Sequence, residues 1–463
     1  MGVRVGSSGG APLLPSPGSA RLAGMDGGGR AGGGEAGAPG PPVLHVVTRL
    51  VIGGPTRPLL AWLAGLAREG FAPVLATGRP APGEVPWPLP RGSVPAWIVP
   101  GLCREPTPLR DLRAFLGLVR AVRRLRPVIV HTHTAKAGVL GRLAGRLGRP
   151  APRVVHTFHG HSLGRAAGGR LAPLWTRIER ALVPVTDRLL AVSPRVAADL
   201  RARLRLGEPP AVIPLPVPAA VPDPAPGDSP PRRGRPVALF LGRGVPVKGL
   251  DLLARAHARA EARRPRARFA VRVVGPVERR VRDHLDRILR RGGIASLWKF
   301  AAPVTDPVPE LFRADFLVLP SRSEGTPVSV IEALGAGLPV LASAVGGVPD
   351  LLAGAWRTEG PGRWRTVAAP PRGWLLPPTD EEGWADALAA AAETPGAVPG
   401  EPAERRAFVA GTFDPRARAA ELAAFYRELL GDSARPSRGT RPGRPAPGSL
   451  RRPARRAAQP REQ

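Results

Sequence analysis

Two parallel, doubly wound α/β domains facing each other across a cleft are what this sequence predicts. Three observations carry the expectation. Apolar runs alternate with helical patterns in two separate series, a Pro-dense stretch separates the series, and a Gly-containing acidic loop follows a buried strand late in the second.

Residues 1–40 are rich in Gly, Pro and Ser, with too few large apolar side chains to offset the entropy of ordering, so a disordered leader is expected. Met25 is a candidate start within it. Short apolar runs at 43–47, 74–77, 128–131, 154–158 and 189–192 then predict buried parallel strands, giving a first domain over 41–215. Within it, residues 109–125 form a helical pattern with Leu109, Leu112, Leu116 and Val119 on one face. That stripe is expected to pack on the sheet, with Arg110, Arg113, Arg120, Arg123 and Arg124 elsewhere. Residues 216–236 predict a linker. Runs at 237–241, 269–274, 316–319 and 340–342 predict the strands of a second domain over 237–413. Helical patterns at 380–392 and 415–430 close the chain, the latter within a closing segment 414–432. Residues 433–463 are Arg/Pro-rich without periodicity, and a disordered basic tail is expected there.

Composition restricts the function classes. No stretch approaches the ~20 apolar residues of a membrane helix, and the N-terminus lacks the apolar core of a secretory signal. The lone Cys103 cannot form an intramolecular disulfide and fits a reducing cytoplasm. The net charge of +32 accompanies a chain without asparagine and with three lysines, Lys136, Lys248 and Lys299. That skew is what GC-rich codon bias produces, so much of the arginine excess needs no partner. It makes the surviving lysines more informative. The tail has no aromatic residue to stack on bases, and specific nucleic-acid binding is not expected. The cytoplasm is the expected location, with the inner face of a membrane as a second candidate through helix 109–125 and the tail.

The chemistry concentrates in the run Ser323-Glu324-Gly325-Thr326-Pro327-Val328-Ser329-Val330-Ile331-Glu332. Thr326 is expected to cap a helix with Pro327 at its first position, and Gly337 to end it. The N–H groups of Val328, Ser329 and Val330 then form an anion site at the helix terminus. Glu332 would repel a phosphate, so it is placed to accept hydrogen bonds from a diol such as a ribose. In Leu241-Gly242-Arg243-Gly244-Val245-Pro246-Val247-Lys248-Gly249, two cations five apart can converge on a diphosphate. A nucleotide-sugar site is the sum of these parts. Other residues are less telling. His131 and His133 are expected as hydrogen-bonded cleft or core side chains, and Lys136 as either an acceptor contact or a helix cap. His156, His159 and His161 lack the companion Cys or acid and the common face that zinc would need.

These motifs resemble those of the family 4 glycosyltransferases of GT-B fold. So do Val345-Gly346-Gly347-Val348-Pro349, the opening Leu44-His45-Val46-Val47…Gly53-Gly54, His131-Thr132-His133-Thr134-Ala135-Lys136 and His156-Thr157-Phe158-His159-Gly160. The resemblance spans about residues 43–430, and the Glu-x7-Glu segment is its specific part. It implies retaining transfer of a hexosyl or N-acetylhexosaminyl group from a nucleotide-diphosphate sugar to a glycan, lipid-linked or small-molecule acceptor, in polysaccharide or glycolipid biosynthesis. Arg243 and Lys248 would hold the diphosphate, together with Gly54 and the Val328 helix terminus. Glu332 would hold the ribose. Glu324 and His159 would serve the donor sugar as catalytic residues, with Gly325, Thr326 and Pro327 as the donor-sugar loop. No cofactor beyond the co-substrate is implied. No divalent metal is expected either, since the chain has no Asp-x-Asp element. The rival readings are a nucleotide-sugar epimerase of the same architecture and a basic protein that binds anionic surfaces.

Overall fold

The computed structural model describes residues 40–431, except 90–92, 161–162, 164–168, 219–233, 265–267, 354, 358–363, 367–371 and 395–397. Both expected disordered tails and most of the expected linker lie outside the described residues.

The first sheet contains β1 (Pro42–Arg49), β2 (Ala72–Gly78), β3 (Ala96–Ile98), β4 (Ile129–His133), β5 (Arg153–Phe158), β6 (Arg188–Ala191) and β7 (Ala211–Val212). All pairings are parallel, in the order β3-β2-β1-β4-β5-β6-β7. It is flanked by α1 (Thr56–Arg68), α2 (Pro108–Leu125), α3 (Ala135–Arg146), α4 (Ala172–Leu182) and α5 (Pro194–Leu204). The central strands are buried along nearly their whole length, which is why they appear in the sequence as apolar runs and not as alternating patterns.

The second sheet contains β8 (Val237–Leu241), β9 (Ala270–Val274), β10 (Trp298–Ala301), β11 (Phe316–Leu319), β12 (Val340–Ser343), β13 (Ala355–Arg357), β14 (Trp364–Thr366) and β15 (Trp374–Leu376). Their order is β10-β9-β8-β11-β12-β15-β13-β14, parallel except for the β13–β14 pair. Around it lie α6 (Leu250–Arg263), α7 (Arg279–Arg291), α8 (Val308–Phe312), α9 (Val328–Gly335), α10 (Val348–Leu352), α11 (Glu381–Glu393), α12 (Pro402–Phe413) and α13 (Pro415–Gly431).

In both sheets the order reverses beside the first strand, between β1 and β4 and between β8 and β11. Crevices at such switch points, outside the carboxyl ends of the strands, are where doubly wound sheets bind ligands. The Gly53-Gly54 loop follows β1, and the loops carrying Arg243 and Glu324 follow β8 and β11.

One apolar cluster runs through both domains. It joins Trp62, Leu66 and Phe71 to Leu422, Tyr426 and Leu429 of α13, and continues through Phe413 and Leu338 to Leu317 and Val340. The chain's last described helix thus returns to the first domain, where Tyr426 hydroxyl hydrogen-bonds His131 Nδ1. Val217 N–H bonds Phe413 O at 3.0 Å where the chain crosses between the domains.

Of the stripe expected to pack on the sheet, Val119 does so and the three leucines face outward. Leu109, Leu112 and Leu116 are 84%, 55% and 42% exposed, while α2 buries Ala114, Leu118, Val119, Ala121 and Val122. At 100° per residue, two stripes are available on this helix, and the one with smaller side chains fits closer to α3 and the sheet. The outward face therefore carries the leucines together with Arg113, Arg120 and Arg123, all exposed. Lys136 is also settled by packing. It pairs with Asp111 and donates to Glu105 O, tying α3 to the start of α2 and not lining the cleft.

Candidate functional site

The acidic loop begins where β11 ends. Glu324 Oε1 accepts from Ser321 Oγ and from Lys248 Nζ, each at 2.6 Å, and its side chain is 7% exposed. The diphosphate cation and the donor-sugar carboxylate expected from the sequence are therefore in direct contact.

The helix after the loop starts one position later than expected. Pro327 occupies the N-cap position without a side-chain cap, and α9 begins at Val328. Thr326 does not cap it, because its hydroxyl donates to Val192 O of the first domain at 3.4 Å. Val330 N–H turns back to Pro327 O at 3.2 Å, so the outward-facing N–H pair narrows to Val328 and Ser329. Gly337, at φ +75°, stops the helix as expected. Its N–H bonds Leu334 O at 2.9 Å, and Leu338 N–H bonds Ala333 O at 2.8 Å.

Glu332 lies 8% exposed on α9, and Arg57 Nη1 of α1 donates to its Oε1 at 2.9 Å. Burial outweighs the attraction of Arg57 and pushes the carboxyl up to about 7. Arg57 is the functional residue that sequence reasoning missed. It follows Gly53-Gly54-Pro55-Thr56 closely, but nothing local connects it to an acid 275 positions away.

Arg243 is half-buried and forms no ion pair among the described residues. Burial, and then the neighbouring charges of Arg104 and Arg49, hold its guanidinium below the usual range. Glu84 and Glu278 offset part of that effect without pairing with Arg243, and a half-buried cation with no ion-pair partner favours an anionic ligand.

These groups line one cavity of about 300 Å³, at the lower end of the volumes typical for small-ligand pockets. Gly53, Gly54, Arg57 and His159 come from the first domain. Arg243, Lys248, Glu324, Gly325, Thr326, Pro327, Val328 and Glu332 come from the second. Every residue to which the resemblance assigns a role is brought to this wall, whereas Val330 and Lys136 are not. Trp87 and the segment Pro303–Val304–Thr305 after β10 also line it, and neither had a sequence signal. Gly54, at φ +63°, lets the chain turn tightly into α1. At Gly325 the two domains touch through backbone: a Cβ there would sit 2.0 Å from His159 O and 2.7 Å from Gly160 Cα.

His159 reaches the cavity from the end of β5, with Nε2 2.9 Å from His133 Nδ1. His156 points away, its Nδ1 2.8 Å from Thr132 Oγ1, and His161 lies outside the described residues. A different trio lies close together, the buried His45, His131 and His133.

Two doubly wound domains closing on a single cleft, with cavity-lining loops at both switch points, define the GT-B class of glycosyltransferase fold. Known proteins agree. The family model described as "Family 4 Glycosyltransferase in conflict systems" matches residues 149–422, and that of "Glycosyltransferase Family 4" matches residues 52–221. The chain belongs to the family 4 glycosyltransferases. It is 34% identical over 247 residues to D-inositol 3-phosphate glycosyltransferase 2 of Catenulispora acidiphila, a match covering 49% of this chain and 56% of that protein. The fold matches sucrose-phosphate synthase from Thermosynechococcus elongatus with a TM-score of 0.69 and 18% identity, over 84% of this chain and 99% of that one. It also matches Anabaena HepE in complex with UDP-glucose, with a TM-score of 0.64 and 18% identity, over 84% of this chain and all of the other.

Proposed function

We propose that this glycosyltransferase moves a hexosyl or N-acetylhexosaminyl group, with retention of configuration, from a nucleotide-diphosphate sugar held in the cleft. The observation that carries the reading is Arg243, a half-buried cation without an ion-pair partner among the described residues, on the same wall as Lys248 and the α9 terminus. Together they supply positive charge where the bond from C1 of the sugar to the diphosphate oxygen breaks. The acceptor hydroxyl then attacks C1 from the same face, and its proton passes to the departing phosphate oxygen. Glu324 meets the donor-sugar hydroxyls and Glu332 the ribose, displacing Arg57. The Anabaena protein holds UDP-glucose in the same architecture, which supports a donor of this class. The Catenulispora protein's name specifies an inositol phosphate acceptor, and a small-molecule acceptor stands beside the glycan and lipid-linked ones.

Binding measured by calorimetry against UDP-, GDP- and ADP-sugars tests the reading. Arg243→Ala should weaken the cognate nucleoside diphosphate about 10-fold or more, the worth of one charge-assisted hydrogen bond, and leave the nucleoside nearly unaffected. Equal loss for both would place Arg243 away from the phosphates.

Glu332 adds a pH dependence. Its raised value means that it takes up a proton as pH falls through about 7. Ribose hydroxyls donate best to the ionised form, so nucleotide affinity should fall below that pH, and Glu332→Gln should flatten the dependence while weakening binding overall. Stability runs the other way. The folded carboxyl binds a proton between its ordinary 4.5 and about 7, so this group's contribution is lost as pH rises through that window.

The exposed face of α2 supports a membrane-surface role alongside a lipid-linked acceptor, because its leucines and arginines share one outward side. No helix among the described residues is long and apolar enough to cross a membrane. Leu112→Glu should reduce co-sedimentation with anionic vesicles and leave sugar-nucleotide binding unchanged. Unaltered sedimentation would remove the role from this face.

A further inference from the structure

The position assigned to the ribose is already occupied by a side chain of the protein. Arg57 belongs to the first turn of α1 in the first domain and Glu332 to α9 in the second, and both line the cavity. The guanidinium therefore reaches the carboxylate across the cavity, with Nη1 donating to Oε1 at 2.9 Å. Glu332 is nearly buried, so the side it turns to the cavity is its accessible side, and Arg57 stands on it. Little else holds Arg57 there. Its Nη2 lies 3.5 Å from Pro218 O, longer than a good hydrogen bond.

A displaced Arg57 needs a new partner. A neutral nucleoside offers none. It replaces a charge-assisted contact to Glu332 with hydroxyl contacts and leaves a partly desolvated guanidinium without a counter-ion. A nucleoside diphosphate brings one. The N–H of Val328 faces outward at the terminus of α9, and Val328 stands four residues before Glu332 on the same face of the helix. Four residues advance about 6 Å along the axis. An arginine side chain covers that distance by a change of rotamer.

We infer that Arg57 exchanges partners when the donor binds: ribose hydroxyls take its place on Glu332, and its guanidinium moves about one helical turn to the diphosphate. This rests on the reading above that Glu332 meets the ribose and the α9 terminus the phosphates. The exchange makes Arg57 a specificity-determining residue. It competes with every riboside for Glu332, and only a riboside that carries the diphosphate restores the lost ion pair. Because Arg57 is anchored in the first domain, the exchange also ties that domain to a ligand held by the second. The competing roles are a fixed clamp between the domains and a plain phosphate contact like that of Arg243. Neither of them lets a neutral nucleoside bind more tightly once Arg57 is gone.

Calorimetry on the full chain with uridine, guanosine and adenosine, and with their 5′-diphosphates, separates these roles. Burial pushes the Glu332 carboxyl up and Arg57 holds it down, so titrations at about pH 9 keep it ionised in the variant as well. Arg57→Met removes the charge and keeps an apolar stem. It should tighten the cognate nucleoside about 5-fold, because the competing contact no longer fills the site. It should also cut the preference for diphosphate over nucleoside about 10-fold or more, the worth of one charge-assisted hydrogen bond. Arg243→Ala should lower that preference without tightening the nucleoside. An unchanged or weaker nucleoside in Arg57→Met would overturn the exchange. So would an unchanged preference, which would make Arg57 a competitor that never reaches the phosphates. Glu332→Gln examines the underlying reading by itself and should weaken the nucleoside. If it does not, or if none of these ligands binds the wild-type chain, Glu332 is not the ribose contact and the site reading fails. If it does while Arg57→Met leaves the nucleoside unchanged, the site reading stands and the exchange alone is lost.

Discussion

Glu324→Gln is expected to lower kcat by about 10²- to 10³-fold, the range for losing a preorganised group at the reacting centre. The carboxylate is nearly buried and accepts from Ser321 and Lys248 on one oxygen. Its other oxygen is the one left to meet sugar hydroxyls. Glutamine keeps the shape but removes the charge, so Lys248 loses its counter-ion and becomes a freer partner for the diphosphate. The expected pattern is slower transfer with nucleotide-diphosphate affinity equal to or tighter than wild type. Steady-state kinetics on the cognate donor together with calorimetry would show it. A variant with near-wild-type kcat, or one that loses nucleotide affinity in step with kcat, would remove Glu324 from the reacting centre.

Gly325→Ala should cost about 10²-fold in kcat/KM, the penalty of displacing reacting groups by roughly 1 Å. A methyl group at this position would overlap His159 O, and both sides of the contact are main chain, so neither can rotate away. The loop and the first domain must separate, moving His159 from the position proposed for the donor sugar. Arg243, Lys248 and Glu332 all belong to the second domain, so nucleotide binding should survive. Retained affinity with lost turnover is the expected signature. Full turnover would mean that the domains need not approach this closely during transfer.

The fold was largely legible because its strands are buried on both faces and long enough to appear as apolar runs. All nine predicted strands are present, with ends displaced by a residue or two. Those that escaped prediction are β3, β7, β10 and β13–β15, each two to four residues long and too short to show a period. Helix α12 escaped as well. The loop motifs were legible for a local reason: glycine, proline and acid at fixed offsets after a strand determine how that turn must run.

Two expectations failed because the sequence cannot rank rival partners. In α2 the leucine stripe lost to a stripe of smaller residues, since the surface offered by α3 and the sheet admits only a close approach. In the acidic loop Thr326 had a helix terminus within reach, yet its hydroxyl went to Val192 O across the domain boundary.

By itself, then, the sequence determined two doubly wound domains and most of the loop residues that meet in the cleft, because strand burial and turn chemistry are short-range properties. Only the tertiary structure decided what those side chains touch. The Lys248–Glu324 pair, the Arg57–Glu332 contact, the His45–His133–His159 line and the return of Tyr426 to the first domain join residues 26 to 295 positions apart. Such contacts arise when sheet order and domain closure bring distant loops together, and no local spacing in the chain encodes that distance.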